Sequence, residues 1–540
     1  MKIFFRTDAS NKIGSGHVMR CLALAEELHK QGCRVHFICR AHPGHLGGMI
    51  TEKGFSLSLL PSPEQQKNAE MGNDDYAAWL GVSQDEDAEQ TIDALGSKHW
   101  DWLIVDHYSL DVHWEKKIRS HVTRIMAIDD LANRKHDCDL LLDQNYFLKE
   151  VFNHKSTKGT EKEAQEQHAG PGCSQYIGLV PEDCRLLLGP RYALLRPEYA
   201  QYRRTMNQRT GEIKQVLVFM GGSDNADITG TALEALSVPE LAHVQVDVVV
   251  GANNPHKDKI AQQAEERSST YPYGPRPHLA DLMSRAGLAI GGGGVTTWER
   301  MCLGLPSIVI CVAENQRPAC EALYQAGLIH YLGFWKDVTA ATLAENIIDI
   351  CENQEILRFQ AKACQAMVDG LGAKRVAEVL LPSSKSDLYL RPALEDDALI
   401  YYDWVNDPVV RENAFDSEPI SLNTHLDWFE KRLADADTYM FVLMARDLPV
   451  GQVRFELQGD EAIIDYSLDG IVRGRGWGAE LVRLGARTLY NIRPADIQGQ
   501  VKPENQVSSA VFMYLGFEEQ PLQRGVRTFR LPSSRIGTAG

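Results

Sequence analysis

Short apolar runs alternate with helical patterns from the first residues of the chain. Residues 3–5 are apolar, a glycine-containing loop follows, and apolar positions then recur at helical spacing through residues 18–30. The pattern predicts a buried strand, a loop and a helix, in that order.

The same alternation continues beyond this first helix. Apolar runs at residues 34–39, 102–106, 124–130 and 140–143 predict further strands of a parallel sheet, in a Rossmann-like domain that covers residues 1–205. The carboxyl ends of parallel strands line the ligand crevice of an open sheet, so polar residues that follow the strands are expected at one edge. These residues are His17, Asp106, Tyr108, Asp129, Asp130 and Asp143. Each aspartate taken alone also suits the N-cap of a following helix.

A second series of alternating elements begins near residue 211. Strands are predicted at residues 215–220, 246–251, 288–290 and 307–310. They indicate a second doubly wound unit, over residues 206–381.

The pattern changes after a short polar linker at residues 382–387. Runs at 439–445, 449–455 and 461–467 are typical of adjacent antiparallel strands. We expect an α+β domain over residues 388–534. The predicted fold class is therefore α/β, with two doubly wound Rossmann-like domains followed by this α+β domain.

Composition narrows the possible partners. The chain has 540 residues, of which 44% are hydrophobic, and a net charge of −17. Such an acidic chain argues against nucleic acid or an anionic membrane as the main partner. No apolar run approaches the length of a membrane span and the first residues lack a signal-peptide pattern, so we expect a cytoplasmic protein.

The 11 cysteines lie between Cys21 and Cys364 and form no Cys-x-x-Cys motif. This scatter is typical of reduced thiols rather than of a disulfide framework or a zinc site, and we expect no metal. The polar residues 150–172 indicate a surface insertion.

Two glycine-containing loops carry candidate chemistry. Gly14 and Gly16 allow the main chain to approach a ligand closely, and His17 stands where the loop becomes a helix. A histidine there can face an anionic ligand and move protons near neutral pH. A tight turn with an ordinary capping histidine explains the same residues equally well.

The second loop contains four consecutive glycines, residues 291–294, between an apolar strand and a helical pattern. Such a main chain suits a pyrophosphate. Thr296 and Thr297 would add hydroxyls, and Glu299 would accept hydrogen bonds from a ribose diol. A flexible connector is the alternative.

Residues 473–478 read Arg-Gly-Arg-Gly-Trp-Gly, and Asn505, Ser508 and residues 514–517 follow in order. These motifs resemble those of the GNAT family of acetyl-CoA-dependent N-acetyltransferases. The resemblance implies acetyl-CoA as cosubstrate. The residues that it implies for acetyl-CoA binding are Val472, Arg473, Gly474, Gly476, Gly478, Ala479 and Asn505.

The same resemblance implies that Tyr514 is the acid that protonates the leaving thiolate. The general base of acetyl transfer stays open. Glu456, Asp465 and a water-linked group are the alternatives.

A second resemblance rests on blocks spread in order over the first 380 residues. They are residues 6–8, 13–21, 106–108, 129–132, 141–145, 188–192, 220–224 and 292–299. Together they resemble the UDP-2,4-diacetamido-2,4,6-trideoxy-beta-L-altropyranose hydrolases of pseudaminic acid biosynthesis. The resemblance implies a glycosyltransferase-B-like fold with the site between two domains. It also implies that His17 and Tyr108 are catalytic.

The residues expected to contact the UDP-sugar follow from the same blocks. In the first domain they are Arg6, Asp8, Gly14, Gly16, Arg20 and Asp106. In the second domain they are Gly222, Ser223, Gly292, Gly293, Gly294, Thr296, Thr297 and Glu299.

These resemblances predict an enzyme with two activities, whose substrates are a UDP-linked amino sugar, acetyl-CoA and water. The first part would release UDP with inversion at the anomeric carbon, His17 acting as general base on water. The last part would acetylate the 4-amino group of the preceding UDP-amino sugar. The alternatives are a glycosyltransferase or a hydrolysing UDP-GlcNAc epimerase with an acetyltransferase of other specificity, and a non-catalytic sugar-nucleotide binding protein.

Overall fold

A computed structural model describes residues 1–63, 76–96, 99–147, 173–522 and 525–536. These residues divide into two compact units, Met1–Val376 and Ala377–Gly540. The predicted insertion at 150–172 lies outside the described residues. The predicted domain boundaries stay predictions.

The first half of unit 1 is built on a parallel sheet. Its strands are β1 (Lys2–Thr7), β2 (Arg34–Arg40), β3 (Ser56–Leu60), β4 (Trp100–Asp106), β5 (Val122–Ile128), β6 (Leu140–Asp143) and β7 (Arg185–Leu188). Its helices are α1 (Gly16–Lys30), α2 (Gly47–Glu52), α3 (Gln84–Leu95), α4 (Val112–Ile118) and α5 (Pro197–Thr205). The strand order among the described residues is β3-β2-β1-β4-β5-β6-β7.

The second half of unit 1 repeats this plan. Its strands are β8 (Gln215–Phe219), β9 (Gln245–Val249), β10 (Thr270–Tyr273), β11 (Leu288–Gly292), β12 (Ser307–Cys311) and β13 (His330–Phe334). The helices are α6 (Ile228–Leu236), α7 (Lys257–Glu266), α8 (Ala280–Arg285), α9 (Thr296–Cys302), α10 (Arg317–Gln325), α11 (Ala340–Cys351) and α12 (Gln354–Met367). Helix α13 (Gly372–Leu380) begins in unit 1 and ends in unit 2, which starts at Ala377. The parallel strands follow the order β10-β9-β8-β11-β12-β13.

Unit 2 contains a mixed sheet. Its strands are β14 (Leu388–Pro392), β15 (Thr438–Ala445), β16 (Leu448–Gln458), β17 (Glu461–Leu468), β18 (Asp496–Val501), β19 (Glu518–Glu519) and β20 (Arg527–Leu531). The helices are α14 (Ala398–Val405), α15 (Pro408–Asn413), α16 (Leu422–Ala434), α17 (Trp477–Ile492), α18 (Gln506–Tyr514) and α19 (Ser533–Ile536). Neighbouring strands are antiparallel except β17 and β18, which are parallel. The predicted fold class is confirmed.

Each parallel sheet has one point at which the strand order reverses. In the first sheet this point lies between β1 and β4, and in the second it lies between β8 and β11. Loops that leave the carboxyl ends of two such strands run to opposite faces and leave a crevice between them. The sheet order therefore places one crevice beside the loop after β1 and another beside the glycine run after β11.

The strands in the middle of both sheets are buried on both faces. Residues 3–7 of β1 and all of β12 are buried, which explains why they read as continuous apolar runs rather than alternating ones. Apolar clusters cover both faces of the second sheet. Among the described residues, no helix combines the length and the apolar character that crossing a bilayer requires.

Two functional helices begin earlier than their apolar periodicity indicates. Helix α1 begins at Gly16 rather than residue 18, and α17 begins at Trp477, although the helical spacing of its apolar residues indicates a start only at residue 480. In both cases a glycine stands at the junction, and Gly476 adopts a left-handed φ of 72°. A glycine in the first turn interrupts the apolar spacing, so the spacing alone does not mark where these helices begin.

Gly251, which follows β9, supports the loop after β8 through close main-chain packing. A Cβ at this position would lie 2.3 Å from Gly222 O and 2.4 Å from Gly221 O. We expect Gly251→Ala to lower the free energy of unfolding of unit 1 by about 1–3 kcal/mol, because backbone atoms must move to admit the methyl group. Calorimetric unfolding of the full chain measures this.

The matched control is Gly274→Ala, since a Cβ on Gly274 would have no neighbour within 4 Å. An equal effect of the two substitutions would contradict the packing argument.

Candidate active sites

His17 lies in the first turn of α1, directly after the loop that leaves β1. Asp106 ends β4, and the pairing of β1 with β4 sets Thr7 beside Asp106. His17 Nδ1 lies 2.6 Å from Asp106 Oδ1. The reversal of strand order thus brings a loop–helix junction and the end of the neighbouring strand into direct contact.

Arg20, one turn further along α1, binds the same carboxylate. Its Nε and Nη2 donate to the two oxygens of Asp106 at 2.7 Å each, and its Nη1 donates to Asp130 Oδ2 at 2.9 Å. Burial opposes the charge of Asp106, but Arg20 and His17 outweigh it and hold the pKa of that carboxyl well below its usual range. Asp106 is therefore ionised at neutral pH.

An ionised carboxylate can only accept a hydrogen bond, so the short contact with Asp106 requires a proton on His17 Nδ1. The neutral ring then carries its lone pair on Nε2, which makes no hydrogen bond to the described residues. His17 is 7% exposed. The arrangement therefore suits a general base that acts through Nε2.

Aromatic rings enclose His17 on one side. Its ring centroid lies 4.6 Å from that of Tyr108 and 6.3 Å from that of Trp79, edge to face in both cases. Trp79 stacks on Tyr108 at 5.5 Å, and Tyr76 contacts both rings. Burial and the neighbouring Asp130 raise the pKa of Tyr108 well above its usual range, so its phenol stays a hydrogen-bond donor.

Sequence analysis missed Trp79 and Tyr76. They lie on a short 3₁₀ turn, Tyr76–Leu80, that has neither an apolar period nor a glycine signal. The close spacing of Tyr76 and Trp79 was the available signal, but only the fold brings these two rings to Tyr108.

Arg6 and Asp8, which were predicted to contact substrate, have no exposed surface. Arg6 Nη1 donates to Asp8 Oδ1 at 2.7 Å, and its Nη2 donates to Asp87 Oδ2 at 2.6 Å. Asp8 also accepts from Arg40 N at 2.6 Å. This buried network fixes the end of β1, so the geometry favours a structural role for Arg6 and Asp8. Direct contact of Arg6 or Asp8 with a ligand stays a prediction.

The loop before His17 approaches the second half of unit 1. Gly14 adopts a φ of 80°, which favours glycine, and its N–H donates to Ser10 O at 2.9 Å to close the turn. A Cβ on Gly16 would lie 3.4 Å from Val295 Cγ2. Val295 belongs to the loop after β11, so the two predicted ligand loops of unit 1 face each other here.

Arg300, which sequence analysis missed, lies behind the glycine run after β11. Its Nη2 donates to Gly292 O at 2.8 Å and to Thr297 Oγ1 at 3.0 Å. Burial lowers the pKa of Arg300 to about 10. A Cβ on Gly293 would lie 2.4 Å from Cys320 Sγ. Close packing against Cys320 therefore requires glycine at position 293, whether or not a ligand binds on the other side of the loop.

The polar residues after this glycine run differ in accessibility. Thr296 and Gly294 are partly exposed, whereas Thr297 is buried with its hydroxyl held by Arg300. Glu299 is partly exposed, and burial of its carboxyl raises the pKa to about 7 despite a hydrogen bond with the Tyr199 hydroxyl. A ligand would thus meet Thr296 and Glu299 before Thr297.

The loop after β8 lies at the same switch point. Gly222 is exposed and Ser223 is partly exposed, while Asp224 caps α6 by accepting from Ile228 N at 3.0 Å and Thr229 N at 2.7 Å. The cap fixes the loop so that its glycine and serine point away from the sheet core.

Two of the aspartates expected near His17 make other contacts. Asp143 accepts from Tyr176 OH at 2.8 Å, and burial raises its pKa well above the usual range. Asp129 binds Arg134 Nη1 at 2.6 Å and lies 3.8 Å from His136 Nε2. Strand order alone could not separate these two carboxylates from Asp106 and Asp130.

In unit 2 the parallel strands β17 and β18 diverge. They pair only from Glu461↔Asp496 to Ile464↔Gly499, although β17 continues to Leu468 and β18 to Val501. Beyond the last pair, main-chain N–H and C=O groups of the facing edges lack a strand partner. This gap opens next to the loop that precedes α17.

The glycine motif of unit 2 forms that loop. Gly474 and Gly476 have φ values of 78° and 72°, and Val472 is fully buried. Arg473 Nη2 pairs with Asp407 Oδ1 at 2.9 Å, and Arg475 Nη1 pairs with Glu378 Oε1 at 2.5 Å. The two arginine side chains are therefore held by acidic residues of the same unit. An anion at this motif would therefore be bound by main-chain N–H groups rather than by these arginine side chains.

Gly478 and Ala479 lie in the first turn of α17. A Cβ on Gly478 would lie 3.6 Å from Val511 Cγ2 of α18. Asn505 is the N-cap of α18 and accepts from Ser508 N at 3.0 Å. Tyr514 ends the same helix and is 81% exposed.

The candidate bases for acetyl transfer also differ in their contacts. Glu456 lies 3.1 Å from Arg432 and 3.0 Å from Arg454, so both of its oxygens are engaged. Asp465 is exposed and accepts from Gln452 Nε2 at 2.8 Å. The gap between β17 and β18 and the left-handed glycines fit the acetyl-CoA that the sequence analysis expects.

Comparison with family models first defines the classes of the two parts. Residues 387–518 match the acetyltransferase (GNAT) domain model. Residues 216–378 match the model for the glycosyltransferase family 28 C-terminal domain. The chain thus joins a glycosyltransferase-like α/β unit to a GNAT acetyltransferase domain.

Relatives are similar over more of the chain. It is 25% identical over 329 residues to the UDP-2,4-diacetamido-2,4,6-trideoxy-beta-L-altropyranose hydrolase of Campylobacter jejuni, which covers 61% of this chain and 97% of that protein. It is 23% identical to the spore coat polysaccharide biosynthesis protein SpsG of Bacillus subtilis, over 72% of this chain and 99% of that protein.

A third relative, an uncharacterized protein of Methanocaldococcus jannaschii, is 22% identical over 96% of this chain and 97% of its own length. These matches mark the chain as an enzyme of two parts, similar to a hydrolase over the first part and to GNAT acetyltransferases over the last.

His136 provides a test of the charges at the edge of the first sheet. It is buried, and its Nδ1 lies 2.7 Å from Glu115 Oε1. Burial opposes its charge, but Asp129 and Glu115 outweigh this and raise its pKa to about 9. Protonated His136 stabilises the folded state. This contribution is complete below pH 6.5, near the pKa of histidine in the unfolded chain, and is lost as the pH rises through 9.

We therefore expect the free energy of unfolding of unit 1 to fall by about 1–3 kcal/mol between pH 6.5 and pH 9.5. The His136→Gln variant should lack this part of the slope, and the exposed control His243→Gln should keep it. Urea unfolding at several pH values measures both. Parallel curves for wild type and His136→Gln would contradict the assignment.

Proposed function

We propose that unit 1 hydrolyses the bond between UDP and an amino sugar of the 2,4-diacetamido-2,4,6-trideoxyhexose type. The hydrogen-bonded His17–Asp106 pair, beside a glycine run that faces it through Val295, carries this proposal. The similarity to the Campylobacter jejuni hydrolase supplies the substrate class.

The chemistry follows from the protonation of His17. Nε2 takes a proton from water while the water oxygen attacks the anomeric carbon from the face opposite UDP, which inverts the configuration. Asp106 stabilises the imidazolium that forms, and Arg20 keeps Asp106 ionised and fixed. Main-chain N–H groups of the glycine run would stabilise the charge that develops on the departing diphosphate.

Removal of the base should affect turnover and leave nucleotide binding intact. We expect His17→Ala to slow the release of UDP by ~100-fold or more, the usual contribution of a general base. A coupled assay for free UDP measures this, with binding of UDP by calorimetry as a check of folding.

The matched control is His243→Ala. His243 is an exposed histidine that precedes β9 and belongs to neither predicted ligand loop. Full UDP release by the His17→Ala variant would show that another group activates water.

We further propose that unit 2 acetylates the 4-amino group of the sugar before hydrolysis. The name of the relative's substrate contains two acetamido groups, and an acetamido group is the product of acetyl transfer to an amine. The GNAT match and the gap beside the left-handed glycines support acetyl-CoA as the donor. One chain would then carry two consecutive steps on the same UDP-sugar.

The two activities should separate by mutation of the full chain. Tyr514→Phe should slow acetylation of the UDP-linked 2-acetamido-4-amino-2,4,6-trideoxy sugar about 10²-fold, since the phenol proton is lost. It should leave hydrolysis of the diacetylated substrate unchanged. NMR of the products with and without acetyl-CoA measures both steps.

The His17→Ala variant is the reciprocal control, which should accumulate the diacetylated UDP-sugar. Acetylation of protein N-termini but of no UDP-amino sugar would rule out this second activity.

A glycosyltransferase or a UDP-GlcNAc epimerase is the second candidate for unit 1, because residues 216–378 match a glycosyltransferase family model. UDP release with water as sole acceptor, and a sugar unchanged at its second carbon, would support the hydrolase. UDP binding without any turnover would support a non-catalytic binding protein.

A further inference from the structure

The aromatic surface beside His17 is not used by the proposed hydrolysis. Trp79 is partly exposed and lies nearly parallel to Tyr108, with an interplanar angle of 29°. Tyr76 closes the far side, with its ring centroid 4.9 Å from that of Trp79. A partly exposed indole therefore borders the histidine that would activate water.

A polar group without a partner lies at the same place. Asp130 Oδ1 is buried and makes no hydrogen bond within the described residues, while Oδ2 is held by Arg20. The Tyr108 hydroxyl interacts with this carboxylate, which raises the pKa of the phenol, but it does not reach Oδ1 with the geometry of a hydrogen bond. A buried acceptor without a donor costs free energy, so this oxygen is suited to receive an N–H or O–H from a ligand.

We propose that Trp79, Tyr76 and Asp130 form the sugar subsite of unit 1 and select a deoxygenated, N-acylated sugar. The C–H face and the methyl group of a 6-deoxy sugar would lie on Trp79, and an amide N–H or a hydroxyl would donate to Asp130 Oδ1. This inference rests on the proposed function, because it assigns the sugar end of the same substrate.

The physical reason for the selection is the cost of desolvation. A methyl group loses nothing when it is buried against an indole, whereas a hydroxyl at the same carbon must give up its bond to water. An apolar surface rejects an added hydroxyl only moderately, by about 10²-fold at most. We therefore expect a preference, and not an absolute barrier, against a sugar with a free 6-hydroxyl.

Binding to the full chain in a His17→Ala background tests the subsite without consuming the ligand. The probes are UDP-2,4-diacetamido-2,4,6-trideoxy-beta-L-altropyranose, UDP-GlcNAc and UDP alone, each measured by calorimetry. We expect Trp79→Leu to weaken binding of the deoxy sugar nucleotide fivefold or more and to leave UDP binding within twofold. Trp79→Phe should restore most of the loss, because it keeps an aromatic face.

Asp130→Ala should also weaken binding of the deoxy sugar nucleotide, again with UDP binding within twofold. The matched control is Trp428→Leu, a partly exposed tryptophan in unit 2. It should change none of the three affinities.

Unchanged affinity for the deoxy sugar nucleotide in Trp79→Leu would overturn the proposal. An equal loss of UDP binding would overturn it as well, because the indole would then support the nucleotide site or the fold. If the native chain releases no UDP but the Trp79 dependence of sugar binding holds, the subsite stands and the hydrolase function fails.

Discussion

The sharing of one buried carboxylate between a histidine and an arginine governs the first site. Asp106 is fully buried, and a lone charge there would cost several kcal/mol. Two bonds from Arg20 and one from His17 supply the compensation. The carboxylate is therefore able to orient the imidazole only because the guanidinium keeps it ionised. Loss of Arg20 would leave Asp106 without its main partner and His17 without a fixed tautomer.

The order of the strands makes this contact possible. His17 and Asp106 are 89 positions apart and meet because β1 and β4 are neighbours at the switch point of their sheet. The second sheet repeats the arrangement with β8 and β11, whose loops carry the exposed Gly222 and the glycine run. A crevice at each switch point is a consequence of chain topology and not of any local sequence preference.

Local patterns were sufficient to predict the central strands of both parallel sheets, three antiparallel strands of unit 2 and the glycine loops, because burial on both faces and left-handed turns leave direct marks on the sequence. The edge strands β3, β10 and β13 and most helices were not predicted. They were not sufficient to predict which polar side chains point to the crevice. Asp129 and Asp130 are adjacent, yet one binds Arg134 and the other binds Arg20. The buried Asp87 and Arg300 were not predicted either, because a charged residue on a helix is expected to face solvent until the fold shows its hydrogen-bond partners.

The acidic composition of the chain bears on how either unit would hold a diphosphate. A diphosphate approaching a chain of net charge −17 needs local compensation. Arg473 and Arg475 are paired with Asp407 and Glu378, and Arg300 lies behind its loop with its pKa lowered by burial. These arginines fix the shape of the loops. The N–H groups of glycine-rich main chain, which keep their dipoles at every pH and need no counter-ion, are then the donors best suited to face the anion.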